Sequence, residues 1–196
     1  DLFYIESFVG GYKKPCSLWH SDVLVSGGAI YDWGAHFIDQ IVTLIASPIA
    51  HISGLNQKRH WHHITNADHS QVVITFADSK QAIFTNSDLA AARKPKYYAL
   101  GTKGALVGNW NSAAGDTPAD LPAIISLIKE DGEVELLEVI KAEPYAFHKA
   151  IADHLLNGAK MAIRAEQSRN VVEIMARAEQ SAASNALAIE PELLKL

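Results

Sequence analysis

The sequence predicts an α+β domain: one open, mostly antiparallel β-sheet with helices packed on one face. Three observations predict it. Short runs rich in β-branched and aromatic residues recur between turn signals through the middle of the chain. One helical pattern precedes those runs and two follow them, so helices and strands do not alternate as in a parallel βαβ array. The chain also opens on a strand pattern of its own. With the helices on one face, the other face needs a cover, and a second copy of the chain is the simplest one.

Leu2 to Val9 alternates and carries aromatic and β-branched residues, which predicts a strand ended by Gly10-Gly11. Tyr12 to Ser26 has no periodicity and reads as irregular. Gly27-Gly28 then opens a helix from about Ala29 to Ala46, in which Phe37, Ile41, Leu44 and Ile45 keep helical spacing. Ser47-Pro48 stops it, because proline cannot continue the hydrogen-bond ladder. Ala50 to Asn56 and Ser70 to Phe76 are strand runs; Asp78-Ser79 turns the chain, and Gln81 to Asp88 returns as a partner strand. Lys94-Pro95 and Thr117-Pro118 mark loops. Tyr97 to Leu100 and Ala105 to Val107 flank the hairpin signal Gly101-Thr102-Lys103-Gly104. Ala123 to Lys129 and Glu133 to Val139 flank Asp131-Gly132, a two-residue turn. Pro144 suits the first turn of a helix and Gly158 its stop, with Phe147, Ile151 and Leu155 repeating between them. A last helix is predicted from about Ser168 to Ser184, with Val171, Val172, Met175, Ala178 and Ala182 on one face.

A chain of 196 residues suits a single domain, expected here to be one unit over 1–196. Folding at this size buries about 70% of the surface of the unfolded chain, enough for a core without staples. Lys and Arg number 17 against 22 Asp and Glu, a formal net charge of −5, so there is no electrostatic footprint for nucleic acid or anionic lipid. No apolar run is long enough to cross a bilayer. Cys16 is the single cysteine, which excludes an internal disulfide, and a cytoplasmic location is expected. The absence of an initiator methionine and the immediate strand lead to the expectation of a piece of a longer polypeptide.

The informative stretch is Gly27-Gly28-Ala29-Ile30-Tyr31-Asp32-Trp33-Gly34-Ala35-His36-Phe37-Ile38-Asp39. Asp32 and His36 stand four apart, so on a helix they share a face at about 5–6 Å. A carboxylate beside an imidazole raises its proton affinity and orients it, which suits a general acid/base. Gly28 and Gly34 are expected to let a flat ligand approach the helix closely. Spacing alone equally describes a surface pair that stabilises the helix by a few tenths of a kcal/mol.

This run resembles the signature helix of the glucose–fructose oxidoreductase/inositol dehydrogenase (Gfo/Idh/MocA) family. Ser70 to Asp78 is similar to that family's strand-turn unit, Leu100 to Leu106 to its "GT-x-G" hairpin, and Phe147 to Asn185 to its closing helices. The resemblance implies a C-terminal substrate-binding and oligomerisation domain. The family's N-terminal dinucleotide-binding Rossmann domain, with its glycine-rich turn and Glu-Lys-Pro lysine, has no counterpart here; Lys13-Lys14-Pro15 is not that motif. It implies NAD or NADP as cofactor, bound mainly by that missing domain, and a sugar, polyol or related hydroxy compound as substrate. His36 is implied as the acid/base for the hydroxyl proton, and Asp32 as the group holding that hydroxyl or the histidine. The fragment alone is expected to be inactive, and the assembly to be a homo-oligomer formed through the open sheet face.

Trp19, His20, Tyr12 and Lys13 lie in the irregular segment before this helix, where an aromatic and hydrogen-bonding rings suit a sugar-like polyol; a loop anchored by a buried indole fits as well. His60, Trp61, His62, His63, Asp68 and His69 form a dense cluster. No metal is expected there, because His60 and His62 can share a strand face while His63 points away. Cys16 near lysines is either a reactive thiol or a small packed residue. Arg93, Lys94 and Lys96 suit a cofactor phosphate, a substrate carboxylate or a solvated loop. Phe84, Tyr97 and Tyr98 suggest sheet faces, one of them an oligomer contact. The competing functions are a non-catalytic dimerisation or ligand-sensing module, and a metal-dependent hydrolase built on the histidine cluster.

Overall fold

The computed structural model describes residues 1–111, 123–140 and 143–194; the loop expected at Thr117-Pro118 lies outside the described residues. Eight strands form one sheet: β1 (Leu2–Gly10), β2 (Ile49–Gln57), β3 (His69–Phe76), β4 (Gln81–Ser87), β5 (Tyr97–Gly101), β6 (Gly104–Asn109), β7 (Ile124–Lys129) and β8 (Val134–Leu137). The helices are α1 (Val23–Ser26), α2 (Ala29–Leu44), α3 (Ala146–Asn157) and α4 (Ala165–Ala183). The sheet order is β2-β3-β4-β1-β5-β6-β7-β8. β1 runs parallel to β4, with Tyr4 opposite Gln81 and Ser7 opposite Phe84, and every other neighbouring pair is antiparallel. The predicted α+β class and open, mostly antiparallel sheet therefore hold. No helix among the described residues is long and apolar enough to cross a membrane.

The core sits over one half of the sheet. α2 contributes Ile30, Phe37, Ile38, Ile41 and Ile45, the last as its C-cap; α4 contributes Val171, Ile174, Met175 and Ala178. They close over Ile52, Val72, Ile74, Phe76, Ala82 and Phe84 of β2, β3 and β4. Each large apolar side chain buried this way contributes about 1.5–3 kcal/mol. Phe84 is fully buried and stacks on Phe37 at 5.6 Å between ring centroids, so it belongs to the interior and not to a free sheet face.

The seating of α4 on β2 depends on one close backbone approach. A Cβ on Gly54 of β2 would stand 1.9 Å from the Ala178 carbonyl oxygen of α4, and the Gly54 amide donates to Ser181 Oγ at 3.0 Å. Only a residue without a side chain lets α4 lie this near the strand. Gly54→Ala is expected to push the helix off the sheet and destabilise the fold by about 1–3 kcal/mol, the usual range for overpacking. Urea denaturation checks this, and an unchanged midpoint would contradict the packing described.

Several local expectations are corrected. α2 ends at Leu44, two residues early, and Leu44 itself is exposed because its position rolls off the buried stripe. In α4 the buried face is Asn170, Val171, Ile174, Met175, Ala178 and Ser181; Val172 is about half exposed. The segment Tyr12 to Ser26 is not wholly irregular. A 3-10 turn occupies Trp19–Ser21, and α1 follows, capped by Asp22, whose carboxylate accepts from the Leu24 amide at 3.1 Å. Elements this short leave no periodicity to read. Pro144 lies ahead of the N-cap Tyr145 and not inside the first turn of α3, whereas Gly158 ends that helix in the left-handed conformation, as expected. No residue of α3 is buried, so the helix layer is α2 and α4, and Phe147 and Leu155 face outward.

Candidate active site

The parallel pairing of β1 and β4 brings both C-terminal strand ends to the same edge of the sheet. Beyond that edge lies a cavity of about 480 Å³. The chain leaving β1 supplies Lys13, Lys14, Pro15 and Cys16, the chain leaving β4 supplies Asn86 and Asp88, and the first turns of α2 supply Ala29, Asp32 and Trp33. His20 and Ser21, with Ile64 and Asn66 from the β2–β3 connection, complete the wall.

Hydrogen bonds stitch the two connecting segments together. Asn66 donates through Nδ2 to the His20 carbonyl at 2.6 Å, and its amide donates to the Ser21 carbonyl at 3.2 Å. The Thr65 hydroxyl donates to Asp22 Oδ1 at 3.0 Å and accepts from the Val23 amide at 2.8 Å. The wall is therefore held by the fold and does not need a ligand to form.

Asp32 sits in the first turn of α2, half-buried and on the cavity, where the positive end of the helix dipole favours a carboxylate. His36, one turn on, is exposed, and its ring lies 6.3 Å from the Trp33 ring. Among the described residues no hydrogen bond joins Asp32 to His36. Lys13 and His20 line the cavity. Tyr12 does not: its ring leans on His60 and Trp61, with centroids 6.2 and 6.0 Å away. Trp19 is also outside it, exposed and packed edge-on against His20. The glycine expectation is overturned for Gly34. A Cβ on Gly34 would meet Ile38, Met175 and Phe84, so that glycine serves core packing; one on Gly28 would meet Glu179 Oε1 at 3.3 Å. Neither faces the cavity.

Two carboxyl groups at the back of the site behave oppositely. Asp68 is fully buried; Lys58 Nζ donates to its Oδ1 at 2.9 Å, and its Oδ2 accepts from the amides of Arg59, His60 and Trp61 at 2.6, 2.6 and 3.2 Å. Burial opposes its ionisation, but the Lys58 ammonium and the three amides together outweigh it and hold its pKa well below the usual carboxylate range. Among the described residues no such donor reaches the Asp88 carboxyl. Burial, reinforced by the Asp68 charge and only partly offset by Lys58, pushes its carboxyl up to about 6.

The remaining sequence candidates separate. His60 and His62 lie in the β2–β3 connection and not on a strand, because Asp68 gathers that backbone into a turn; His63 Nε2 lies 3.1 Å from the Pro15 carbonyl. Among the described residues no three His, Cys, Asp or Glu side chains converge as metal ligands. Cys16 is exposed, with Sγ 2.8 Å from His20 Nε2. Lys94 is ion-paired with Glu6 of β1, and Lys96 lies over the rings of Trp110, Tyr97 and Phe37 at 5.4, 5.6 and 6.0 Å, so both are tied to the fold. Asp88, Asn86 and Asn66 were invisible as site residues in the sequence. The parallel β1–β4 pairing, which links segments some 75 residues apart, brings Asn86 and Asp88 to the cavity, and hydrogen bonds to the His20 and Ser21 carbonyls hold Asn66 there.

Comparison with known proteins follows this geometry. The sequence model described as the GFO/IDH/MocA C-terminal domain matches residues 1–107, more than half of the chain. The scyllo-inositol 2-dehydrogenase (NADP(+)) IolW of Bacillus subtilis is 23% identical over 179 residues, 83% of this chain and 49% of that protein. The chain thus spans about half the length of the curated relative it matches. Among solved structures, an NAD-binding protein from Listeria innocua superposes with a TM-score of 0.75 at 21% identity, covering 97% of this chain and 55% of the other. An oxidoreductase from Bacillus cereus superposes with a TM-score of 0.71 at 16% identity, covering 100% and 59%. At these identities the superpositions establish the shared fold.

Proposed function

The chain belongs to the GFO/IDH/MocA family, as a C-terminal domain of it, and on that premise we propose that it forms the substrate-binding and oligomerisation half of an NAD(P)-dependent dehydrogenase acting on a sugar, polyol or related hydroxy compound. One observation carries the reading: a preformed polar cavity whose wall includes Asp32 on the first turn of α2, with His36 one turn further along the same helix.

The residues present fit the substrate end of a nicotinamide dinucleotide. The cavity offers proton-handling and hydroxyl-binding groups in Asp32, His20, Asn86 and Lys13, and α2 leaves Ala35 and His36 exposed beside it, where a second domain can be seated. The nicotinamide, when bound, supplies the hydride-transfer chemistry, and the dinucleotide is held mainly by an N-terminal domain of the whole protein. On this side, Asp32 fixes the reacting hydroxyl by accepting its hydrogen bond. His36 exchanges the hydroxyl proton as hydride leaves or arrives at the carbon. Lys13 and His20 bind further hydroxyls, while Tyr12 and Trp19 stand outside the cavity.

The exposed apolar residues support assembly with a second copy of the chain. Val134 and Leu136 on β8 and Ile124 on β7 leave apolar surface open at one edge of the sheet, and Phe147 and Leu155 leave α3 exposed as well. Such a surface marks an interaction site in a folded protein.

The isolated chain is expected to reduce no nicotinamide, while the protein carrying both domains does so with its substrate. In that protein, Asp32→Asn is expected to raise KM and lower kcat together, because the carboxylate both holds and orients the hydroxyl. Steady-state kinetics with inositols, sugars and amino sugars test this. Unchanged constants in the variant would remove Asp32 from the role given to it.

A further inference from the structure

We propose that Asp88 is a second substrate-binding carboxyl group, which accepts a hydroxyl remote from the reacting carbon and thereby selects polyhydroxylated compounds over mono-alcohols. The inference rests on the reading of this cavity as a polyol site.

Asp88 is placed by its backbone alone. Its amide donates to the Asp68 carbonyl at 2.8 Å, and its own carbonyl accepts from Trp61 Nε1 at 3.2 Å. These two bonds fix the residue at the end of β4, where it forms part of the cavity wall. Its carboxyl group takes no hydrogen bond from any described residue.

The contrast with Asp68 makes this informative. Lys58 and three consecutive amides are committed to Asp68, which lies beneath the site and not on it. Asp88 stands next to that charge, half-buried, with none of those donors. Its carboxyl oxygens are not sealed in the interior; they stay open to the cavity with no protein donor among the described residues. A carboxyl group on a cavity wall with its acceptor lone pairs uncommitted is open to a ligand that donates hydrogen bonds.

The surroundings define the ligand. The charged and titratable groups around Asp88 are Asp68 and Lys58 behind it, and Lys13, Lys14, Cys16, His20 and Asp32 on the cavity wall. Asn86 adds an amide two residues away. Donors and acceptors are interleaved. A neutral ring carrying several hydroxyls matches this pattern, because each hydroxyl donates to one wall group and accepts from the next. Asp32 and Asp88, on α2 and beyond β4, then take different hydroxyls of one molecule. A site built to hydrogen-bond a hydroxyl discriminates strongly against the analogue lacking it, because its own polar group is left unpaired.

The test is calorimetric titration of the full chain with scyllo-inositol and with cyclohexanol, which keeps the ring and a single hydroxyl. Hydrogen bonds to charged groups are worth about 1.5–3 kcal/mol, or roughly ten- to a hundredfold in affinity. Asp88→Asn and Asp88→Ala are therefore both expected to weaken inositol binding by about ten- to a hundredfold and to leave cyclohexanol unaffected. Inositol affinity in the wild type is expected to change as pH passes about 6, and this dependence should vanish in Asp88→Asn. If both variants bind inositol as the wild type does while Asp32→Asn loses it, the role of Asp88 is overturned and the polyol reading stands. If the wild type binds no polyol, both fall together.

Discussion

Replacing His36 by alanine in the dehydrogenase proposed above is expected to slow turnover by about 10²–10⁴-fold, the usual cost of losing a general acid/base. The affinity for the nicotinamide cofactor should change far less. Three features make the experiment clean. His36 is exposed, it packs only loosely beside Trp33, and it makes no hydrogen bond to any described residue. Its removal therefore leaves the core of α2, which is formed by Ile30, Phe37, Ile38 and Ile41, untouched. Thermal unfolding of the variant should match the wild type within about 0.5 kcal/mol, as for most exposed substitutions. A lost rate in a fully folded protein then reports on chemistry. Full turnover on the true substrate would assign the proton transfer to another group, with His20 and Asp88 the first to examine.

The largest structural effect is expected at Asp68. Asp68→Ala removes the acceptor for Lys58 and for the amides of Arg59, His60 and Trp61 in one step. Breaking a buried ion pair by deleting one partner costs about 3–5 kcal/mol. The three amides, left without an acceptor, bring the β2–β3 connection apart, and with it the wall formed by Ile64 and Asn66. Urea denaturation should show the loss, and a shift below about 1 kcal/mol would mean that water replaces the carboxylate without difficulty. The pH dependence has a definite sign. The folded-state pKa of Asp68 lies below its unfolded value of about 3.9, so the folded state binds fewer protons. The stabilisation is complete at pH values above about 4 and is lost progressively as acid protonates the carboxylate. Asp68→Asn should therefore flatten the acid limb of the stability curve.

Local sequence carried the fold well where periodicity was long. The strands from β2 to β8 and the helices α2 and α4 follow from alternation, helical spacing and turn residues such as Asp131-Gly132 and Ser47-Pro48. The pairing of β1 with β4 and β5 was not legible, since strand order depends on contacts distant in the chain. For the same reason half of the cavity was hidden. Asp32 and His36 stand out because one helix holds both, and Lys13 and His20 precede it closely. Asp88 and Asn66 belong to separate connections that only the folded sheet brings together. The misreadings were equally local in origin. Gly34 looked like an opening for a ligand, yet helical phase turns it toward Met175 and Phe84. The histidines near residue 60 looked like alternating strand positions, yet the Asp68 carboxylate draws that backbone into a turn.

The account stands most directly on a single kinetic comparison. The proposed whole dehydrogenase, this chain joined to a dinucleotide-binding domain, is offered NAD and NADP with inositols, sugars and amino sugars, and formation of reduced nicotinamide is followed for the wild type and for Asp32→Asn. The expected result is reduction with at least one polyhydroxylated substrate by the wild type and a severe loss in the variant. Reduction at an undiminished rate in Asp32→Asn would contradict it, because hydride transfer would then proceed without the cavity described here.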